Sequence, residues 1–190
     1  MLEKPDIADA EIVACLKREY GLSAVNLTFL PLGADRNTAV YRAVTDDAAY
    51  FVKLRSGGFD AMTIVVPKLL HDQGIRQVIA PLPTNSNQLW TPLVDFALTV
   101  SPFVEGLDAY DVDLSDDQWV EFGRALKAIH ASKIPPSVSD RIWREDFSAE
   151  WRERVRRYLR LTETKRFDDP VAAALAAFLH ERREVVERLV

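Results

Sequence analysis

The spacing of hydrophobic residues changes twice along the chain, from helical to alternating and back to helical. Apolar residues at helical spacing predict a helix from Ile7 to Tyr20, with Asp9 as a candidate cap and Gly21 as the stop. Alternating apolar and polar residues then predict three strands, and the short polar connections between them favour antiparallel pairing. These strands are centred on Val25–Phe29, Val40–Val44 and Tyr50–Leu54.

A second helix interrupts the run of strands. It is predicted from about Phe59 to Asp72, although Pro67 should end or kink it unless the proline lies in the first turn of a shorter helix. Two more strands are predicted at Gln88–Thr91 and Val94–Val104. Residues 1–105 are therefore expected to form an α+β lobe, with an antiparallel five-stranded sheet and one inserted helix.

The pattern after residue 105 is helical throughout. Ser115-Asp116-Asp117-Gln118 has the form of a capping box, and the helix that it opens carries an apolar stripe expected to face the core. That stripe consists of Trp119, Phe122, Leu126 and Ile129. Two further helices are predicted to open at Ser148 and at Asp169-Pro170. We therefore expect residues 106–190 to form a second, partial all-helical lobe.

Composition narrows the range of functions. The 190 residues include 24 Lys+Arg and 29 Asp+Glu, a net charge of −5, which argues against binding to nucleic acid or an anionic membrane. Cys15 is the single cysteine, so no disulfide framework is possible and a cytoplasmic location is expected. No apolar run approaches the ~20 residues needed to span a bilayer.

Lys53 is the most informative single residue. It alternates with apolar residues on a predicted strand and shares a face with Phe51, in a run that should be largely covered. An ammonium group held there needs an anion, and phosphate would serve. The alternative is a lysine at a strand edge whose aliphatic stem packs while its charge stays in water.

Two neighbouring segments bear on that choice. The turn after the first strand contains a glycine and small or polar residues, so its backbone N–H groups can face an oxyanion; an ordinary hairpin loop is the alternative. Its residues are Gly33, Ala34, Asp35, Arg36, Asn37 and Thr38. The segment Ser101-Pro102-Phe103-Val104-Glu105-Gly106 joins the two lobes, and its backbone can bond a planar base unless it is a plain linker.

Taken in order, these segments resemble the amino-terminal part of a protein-kinase-like fold, in particular the aminoglycoside phosphotransferase family and its spectinomycin phosphotransferase branch. The resemblance runs from about residue 25 onwards and is specific as an ordered set. It is carried by Leu30-Pro31-Leu32-Gly33-Ala34-Asp35 with Asn37 and Thr38, Tyr50-Phe51-Val52-Lys53-Leu54-Arg55, Val66-Pro67-Lys68-Leu69-Leu70, Pro102-Phe103-Val104-Glu105-Gly106, and Gly123-Arg124-Ala125-Leu126-Lys127-Ala128-Ile129-His130.

The resemblance implies an ATP- or GTP-dependent O-phosphotransferase that acts on small molecules, as in antibiotic resistance. By it, Lys53 would bind the α- and β-phosphates and the turn Gly33–Thr38 would cover the phosphates. The backbone around Ser101 to Phe103, with Glu105 beside it, would receive the base. The full enzyme would also use Mg²⁺.

The sequence departs from the family pattern where the chemistry would occur. The family's catalytic loop begins His-x-Asp, but the histidines here stand in His71-Asp72-Gln73, His130-Ala131-Ser132 and His180-Glu181-Arg182. No catalytic residue and no metal ligand is therefore identified, since Asp111 and Asp113 precede a helix rather than follow such a loop. The position of the helix glutamate that partners the strand lysine holds no Glu, and Asp60 is the nearest substitute.

Two functions remain open from the sequence. One is a phosphotransferase present as a fragment without its catalytic loop, which alone should be inactive. The other is a non-catalytic nucleotide-binding or regulatory protein on a degenerate kinase-like scaffold. The stretch from residue 105 to 121 holds seven acidic side chains and no basic one; it can attract a cationic acceptor, and the alternative is a solvated loop with helix-capping charge.

Overall fold

The computed structural model describes residues 3–33, 35–107, 109, 111–146 and 148–189. The chain forms two compact units, one that extends to Ile142 and one that begins at Trp143. This division falls later in the chain than the boundary expected at residue 105. The strands do end near that boundary, but the helices that follow up to Ile142 group with the sheet.

The sheet of the first unit has five antiparallel strands in the order β1-β2-β3-β5-β4. The strands are β1 (Asn26–Leu30), β2 (Thr38–Val44), β3 (Ala49–Ser56), β4 (Thr91–Leu93) and β5 (Phe96–Pro102). The expected α+β class and five-stranded sheet are confirmed. The strand predicted at Gln88–Thr91 is wrong except for Thr91, because Gln88 closes a turn in which Thr84 N donates to its carbonyl at 2.7 Å.

Helix α1 (Asp9–Tyr20) covers one face of this sheet. Ile12, Cys15 and Leu16 are fully buried against a sheet face that includes Tyr41 and Leu54, both also fully buried. Burial of each large apolar side chain of this kind stabilises the fold by about 1.5–3 kcal/mol. The opposite face of the sheet therefore stays available for function.

The ends of α1 differ in how well the sequence predicts them. Gly21 ends the helix as expected, with a positive φ of 70° that an L-residue rarely adopts. Asp9 is not the cap: Ala8 occupies that position, and the Asp9 carboxylate bonds Lys4 Nζ at 2.8 Å instead.

Helix α2 (Met62–Asp72) follows β3 and contains Pro67 in its interior. The prediction that the proline ends the helix unless it lies in the first turn is wrong. Pro67 is the sixth helical residue, and the helix continues for a further five residues. The carbonyl that loses its N–H partner belongs to Thr63, in the first turn, where water can replace it.

Helices α3 (Asp116–His130) and α4 (Pro136–Ser139) complete the first unit. The capping box is confirmed: Gln118 N donates to Ser115 Oγ at 3.3 Å, and Ser115 N donates to Gln118 Oε1 at 2.8 Å. The prediction that the apolar stripe of α3 is buried is wrong, since Trp119 is 56% and Phe122 53% exposed. Within the described chain, Ala125 is the residue of α3 that is buried.

The second unit consists of α5 (Glu150–Thr164), α6 (Pro170–Glu181) and α7 (Arg183–Leu189). Asp169 caps α6 as predicted, with its Oδ1 accepting from Ala172 N at 2.7 Å. Ser148 lies one residue before the α5 cap, which is Ala149. None of the helices in the described residues is both long enough and apolar enough to cross a membrane.

Candidate functional site

Lys53 lies on the face of the sheet that α1 leaves open. Its neighbours on β3, Val52 and Leu54, point into the core and are fully buried, so strand alternation turns Lys53 to the other side. Val40 of β2 and Thr99 of β5 are its partners across the ladder. The side chain is exposed rather than covered as expected.

The turn between β1 and β2 borders an open cavity of about 220 Å³ on this face. The cavity, called here the turn cavity, is lined by Leu32, Gly33, Asp35, Thr38, Val40, Phe51 and Lys53. Gly33 has a φ of 91°, which glycine adopts without strain. The turn cavity thus combines apolar surface from Val40 and Phe51 with one cation, a pairing suited to a flat ring joined to an anion.

Asp35 organises the turn itself. Its carboxylate accepts from Asn37 N at 2.9 Å and from Thr38 Oγ1 at 2.9 Å, and it pairs with Arg55. The Asn37 N–H above all, then the Thr38 hydroxyl and Arg55, lower the pKa of Asp35 to about 2. Thr38 N also donates to Asp35 O at 3.2 Å, so the amides of Asn37 and Thr38 are used within the turn. Those of Gly33 and Arg36 have no partner in the described chain.

A second cavity, of about 100 Å³, lies between Lys53 and α2. The α2 residues that line it are Thr63 and Ile64, and neither can supply a negative charge. Asp60 does not take the place of a helix glutamate, because its Oδ1 accepts from Met62 N at 2.9 Å at the start of α2. Within the described residues, no carboxylate oxygen lies within 4 Å of Lys53 Nζ.

The connection after β5 presents backbone groups along the edge away from β3. Phe103 N donates to Ala49 O at 3.1 Å, so Ser101 and Phe103 turn their N–H groups towards β3 in the alternating antiparallel ladder. The Pro102 carbonyl then faces the other edge, and the Val104 N–H has no partner in the described part of the chain. One acceptor and one donor, two residues apart, are therefore presented there.

Arg42 of β2 braces this connection. Its guanidinium lies 4.9 Å from the centroid of the Phe103 ring and donates to Glu105 Oε1 at 2.8 Å. The Phe103 ring also lies 6.3 Å from that of Phe51, measured between centroids. Arg42 and Phe51 of the sheet thus hold Phe103 and Glu105 of the connection against the open face.

A magnesium site is not formed by the residues that the structure describes. They contain no group of three or more His, Cys, Asp or Glu side chains placed to hold a metal ion. Asp35 is the carboxylate that lines the turn cavity, and its oxygens are engaged by Asn37, Thr38 and Arg55.

The structure brings several of the predicted residues together. Gly33, Asp35, Thr38 and Lys53 line the turn cavity; Arg36 and Asn37 lie in the same turn, and Ala34 lies outside the described residues. Ser101 lies near the end of β5, and Phe103 and Glu105 lie in the connection that follows. Sequence reasoning missed Val40 and Phe51 as lining residues, although strand alternation from Lys53 places both on its face. It pointed to the backbone around Ser101 to Phe103 without singling out the Pro102 carbonyl or the Val104 N–H.

Comparison with known proteins bears on these features as a set. Residues 28–188 match the profile of APH, the phosphotransferase enzyme family. Spectinomycin phosphotransferase APH(9)-Ia, solved in complex with ADP and spectinomycin, is 30% identical with a TM-score of 0.88; the alignment covers 97% of this chain and 56% of that one. The AMP-bound complex of the same enzyme is 28% identical with a TM-score of 0.84, over 96% and 56% of the two chains.

A more distant structure shares the fold alone. The aminoglycoside phosphotransferase from Alicyclobacillus acidocaldarius is 19% identical with a TM-score of 0.56, over 96% of this chain and 52% of that one. None of the curated proteins matches the chain significantly. The chain thus spans little more than half the length of the solved structures that it resembles. With most of its residues matched to the family profile and its kinase-like sheet aligned to spectinomycin phosphotransferase, the chain belongs to the phosphotransferase enzyme family.

Proposed function

We propose that the open face of the sheet binds the nucleotide of an ATP-dependent small-molecule O-phosphotransferase of the spectinomycin phosphotransferase type. The observation that carries this proposal is the turn cavity, in which Lys53 and the Gly33 turn flank the apolar surface of Val40 and Phe51. The relative crystallised with ADP and spectinomycin aligns over 97% of this chain. In this arrangement Lys53 neutralises phosphate charge, and Phe51 lies under the base.

The connection after β5 favours adenine over guanine. The Pro102 carbonyl accepts from the adenine N6 amino group, while the Val104 N–H donates to N1. Guanine presents an acceptor at O6 and a donor at N1, so both pairs would be mismatched in the same pose. This assignment replaces Ser101 and Phe103 as the base-binding groups, because the N–H of Phe103 already bonds Ala49 O.

The acceptor is proposed to be a cationic small molecule such as spectinomycin. The acidic stretch that begins at Glu105 supplies the attracting charge. Transfer itself needs a catalytic aspartate, and no His-x-Asp sequence occurs in the 190 residues. We therefore expect this chain to bind nucleotide without transferring phosphate.

Calorimetric titration with ADP, ATP and GDP tests the proposal. ADP and ATP are expected to bind, and GDP more weakly. Lys53→Ala should weaken ADP binding roughly ten- to hundredfold, the cost of one charge-assisted phosphate contact. Lys17→Ala removes an exposed lysine from α1, on the covered side of the sheet, and should leave the affinity unchanged. Equal ADP affinity in the Lys53→Ala protein would remove Lys53 from the site.

The same material separates binding from turnover. With Mg²⁺, ATP and spectinomycin, the 190-residue chain should form no ADP above background. Robust transfer would show that the chain carries catalytic groups other than a His-x-Asp loop. Binding without transfer is also what a regulatory nucleotide-binding protein would show, but no feature of the structure favours that alternative.

A further inference from the structure

A carboxylate stands where the proposed phosphates would lie. Asp35 lines the turn cavity together with Lys53, and as an aspartate with a lowered pKa it is charged at neutral pH, as it would be at the ordinary value. A negative charge at that place repels a polyphosphate, and the repulsion grows with the number of phosphates. The turn therefore needs a group that cancels the charge of Asp35.

Arg55 is that group. It lies two residues after Lys53 on β3, faces the same side of the sheet, and pairs with the Asp35 carboxylate. Its Nε also donates to Gly58 O at 3.2 Å, which holds the guanidinium from the side of the loop that leads into α2. The side chains of Arg55 and Asp35 are 33% and 43% exposed, so water screens the attraction between them substantially but does not separate the pair.

We propose that Arg55 is a positioning residue for the nucleotide phosphates: it neutralises Asp35 and fixes the Gly33–Thr38 turn over Lys53. The inference rests on the proposed function, because it assigns the phosphates to the turn cavity. Arg55 acts through Asp35 and is not assigned a contact with the nucleotide. Its ligand class is a nucleoside di- or triphosphate.

The turn keeps other attachments when Arg55 is removed. Ser56 N donates to Asn37 O at 2.8 Å, and the β2–β3 ladder pairs Thr38 with Arg55 through the backbone. Arg55→Ala is therefore expected to fold, with a turn that is less firmly held and carries an uncancelled charge. Asp35→Asn in the same protein removes that charge and keeps an oxygen for Asn37 N.

The test compares AMP, ADP and ATP binding by calorimetry in the 190-residue protein. Arg55→Ala should weaken ATP about tenfold and AMP by less than about threefold, and the difference should shrink at high salt. Adding Asp35→Asn to Arg55→Ala should restore most of the ATP affinity, and Arg55→Lys should restore part of it. Arg18→Ala on α1 is the matched control and should change nothing. Equal losses for AMP and ATP, or no recovery in the double variant, would overturn the proposal.

A second measurement needs no nucleotide. Asn37 N–H exchange with solvent reports the turn directly, since that amide bonds Asp35. Arg55→Ala should speed its exchange severalfold in the free protein, and an unchanged rate would show that Arg55 does not hold the turn. If the unaltered chain binds no nucleotide at all, the proposed function fails, and the exchange rate still decides the role of Arg55 in the turn.

Discussion

Two tyrosines, one on α1 and one on the sheet face that α1 covers, should have opposite effects on the stability of the fold when their hydroxyl groups are removed. Tyr41 of β2 is fully buried, and its Oη has no hydrogen-bond partner among the described residues. Tyr20 of α1 is half-buried, and its Oη donates to Leu98 O at 3.3 Å. The substitutions Tyr41→Phe and Tyr20→Phe remove one oxygen each and leave the rings in place.

The expected magnitudes follow from those environments. A buried hydroxyl without a partner costs about 1–3 kcal/mol of desolvation, so Tyr41→Phe should stabilise the fold by about 1 kcal/mol. Its edge-to-face contact with Phe29, with ring centroids 5.4 Å apart, does not depend on the hydroxyl. Tyr20→Phe loses a made hydrogen bond and should cost about 1 kcal/mol. For a chain of this length each change shifts the melting temperature by about 2–4 °C.

Thermal and urea unfolding of the three proteins, followed by circular dichroism, measure this difference. Titration of tyrosine absorbance is a further check, because burial first and Asp9 second raise the pKa of Tyr41 to about 12. The pKa of Tyr41 is thus higher in the folded protein than the ordinary value of 10.0, so folding favours the neutral hydroxyl. The stability that this preference contributes should be lost as the pH rises from about 10 to about 12. If Tyr41→Phe destabilises the fold as much as Tyr20→Phe, the reasoning is refuted, because such a loss would mean that the Tyr41 hydroxyl makes a stabilising interaction.

The cap of α3, the Asp35 turn and the contacts of Arg42 with the connection after β5 each allow a further test. Ser115→Ala should lower the free energy of unfolding by about 1 kcal/mol through loss of the Gln118 N contact, measured by urea unfolding, whereas Ser23→Ala, at an exposed site, should change it by less than about 0.5 kcal/mol. The Asn37 amide chemical shift should titrate with Asp35, whose lowered pKa places loss of the turn's carboxylate bonds between about pH 4 and pH 2; a midpoint at the ordinary value of 3.8 would contradict the network. Arg42→Ala should weaken ADP binding up to about fivefold and leave tripolyphosphate binding unchanged in calorimetry, because Arg42 contacts the connection that is proposed to bind the base and does not line the turn cavity.

The sheet was predictable because its rules are local. Alternation places Val52 and Leu54 on one face and Lys53 on the other, and this needs no knowledge of distant residues. The failures concern elements whose state depends on what packs against them. The apolar stripe of α3 reads as core, yet Trp119 and Phe122 are exposed because nothing in the described chain covers them.

For the candidate site, too, local features were predictable from the sequence and features that depend on pairing were not. Gly33 and Lys53, which line one cavity, were predicted from residue type and position, since a glycine turn and a strand cation carry a local chemical signal. The engagement of Asp35 by Arg55 was not found, because the two are brought together by β2–β3 pairing rather than by spacing. The bond from Phe103 N to Ala49 O likewise depends on ladder register, which decides which backbone groups of the connection after β5 face away from β3.

Cys15 has a practical consequence for work on this protein. It is fully buried beneath the sheet, and burial raises the pKa of its thiol. A buried thiol with a raised pKa reacts slowly with alkylating reagents. A cysteine introduced in the Gly33–Thr38 turn or in the connection after β5 can therefore be labelled selectively with a fluorophore or spin label. The slow labelling rate of Cys15 itself then measures how often α1 separates from the sheet, and this measurement needs no introduced cysteine.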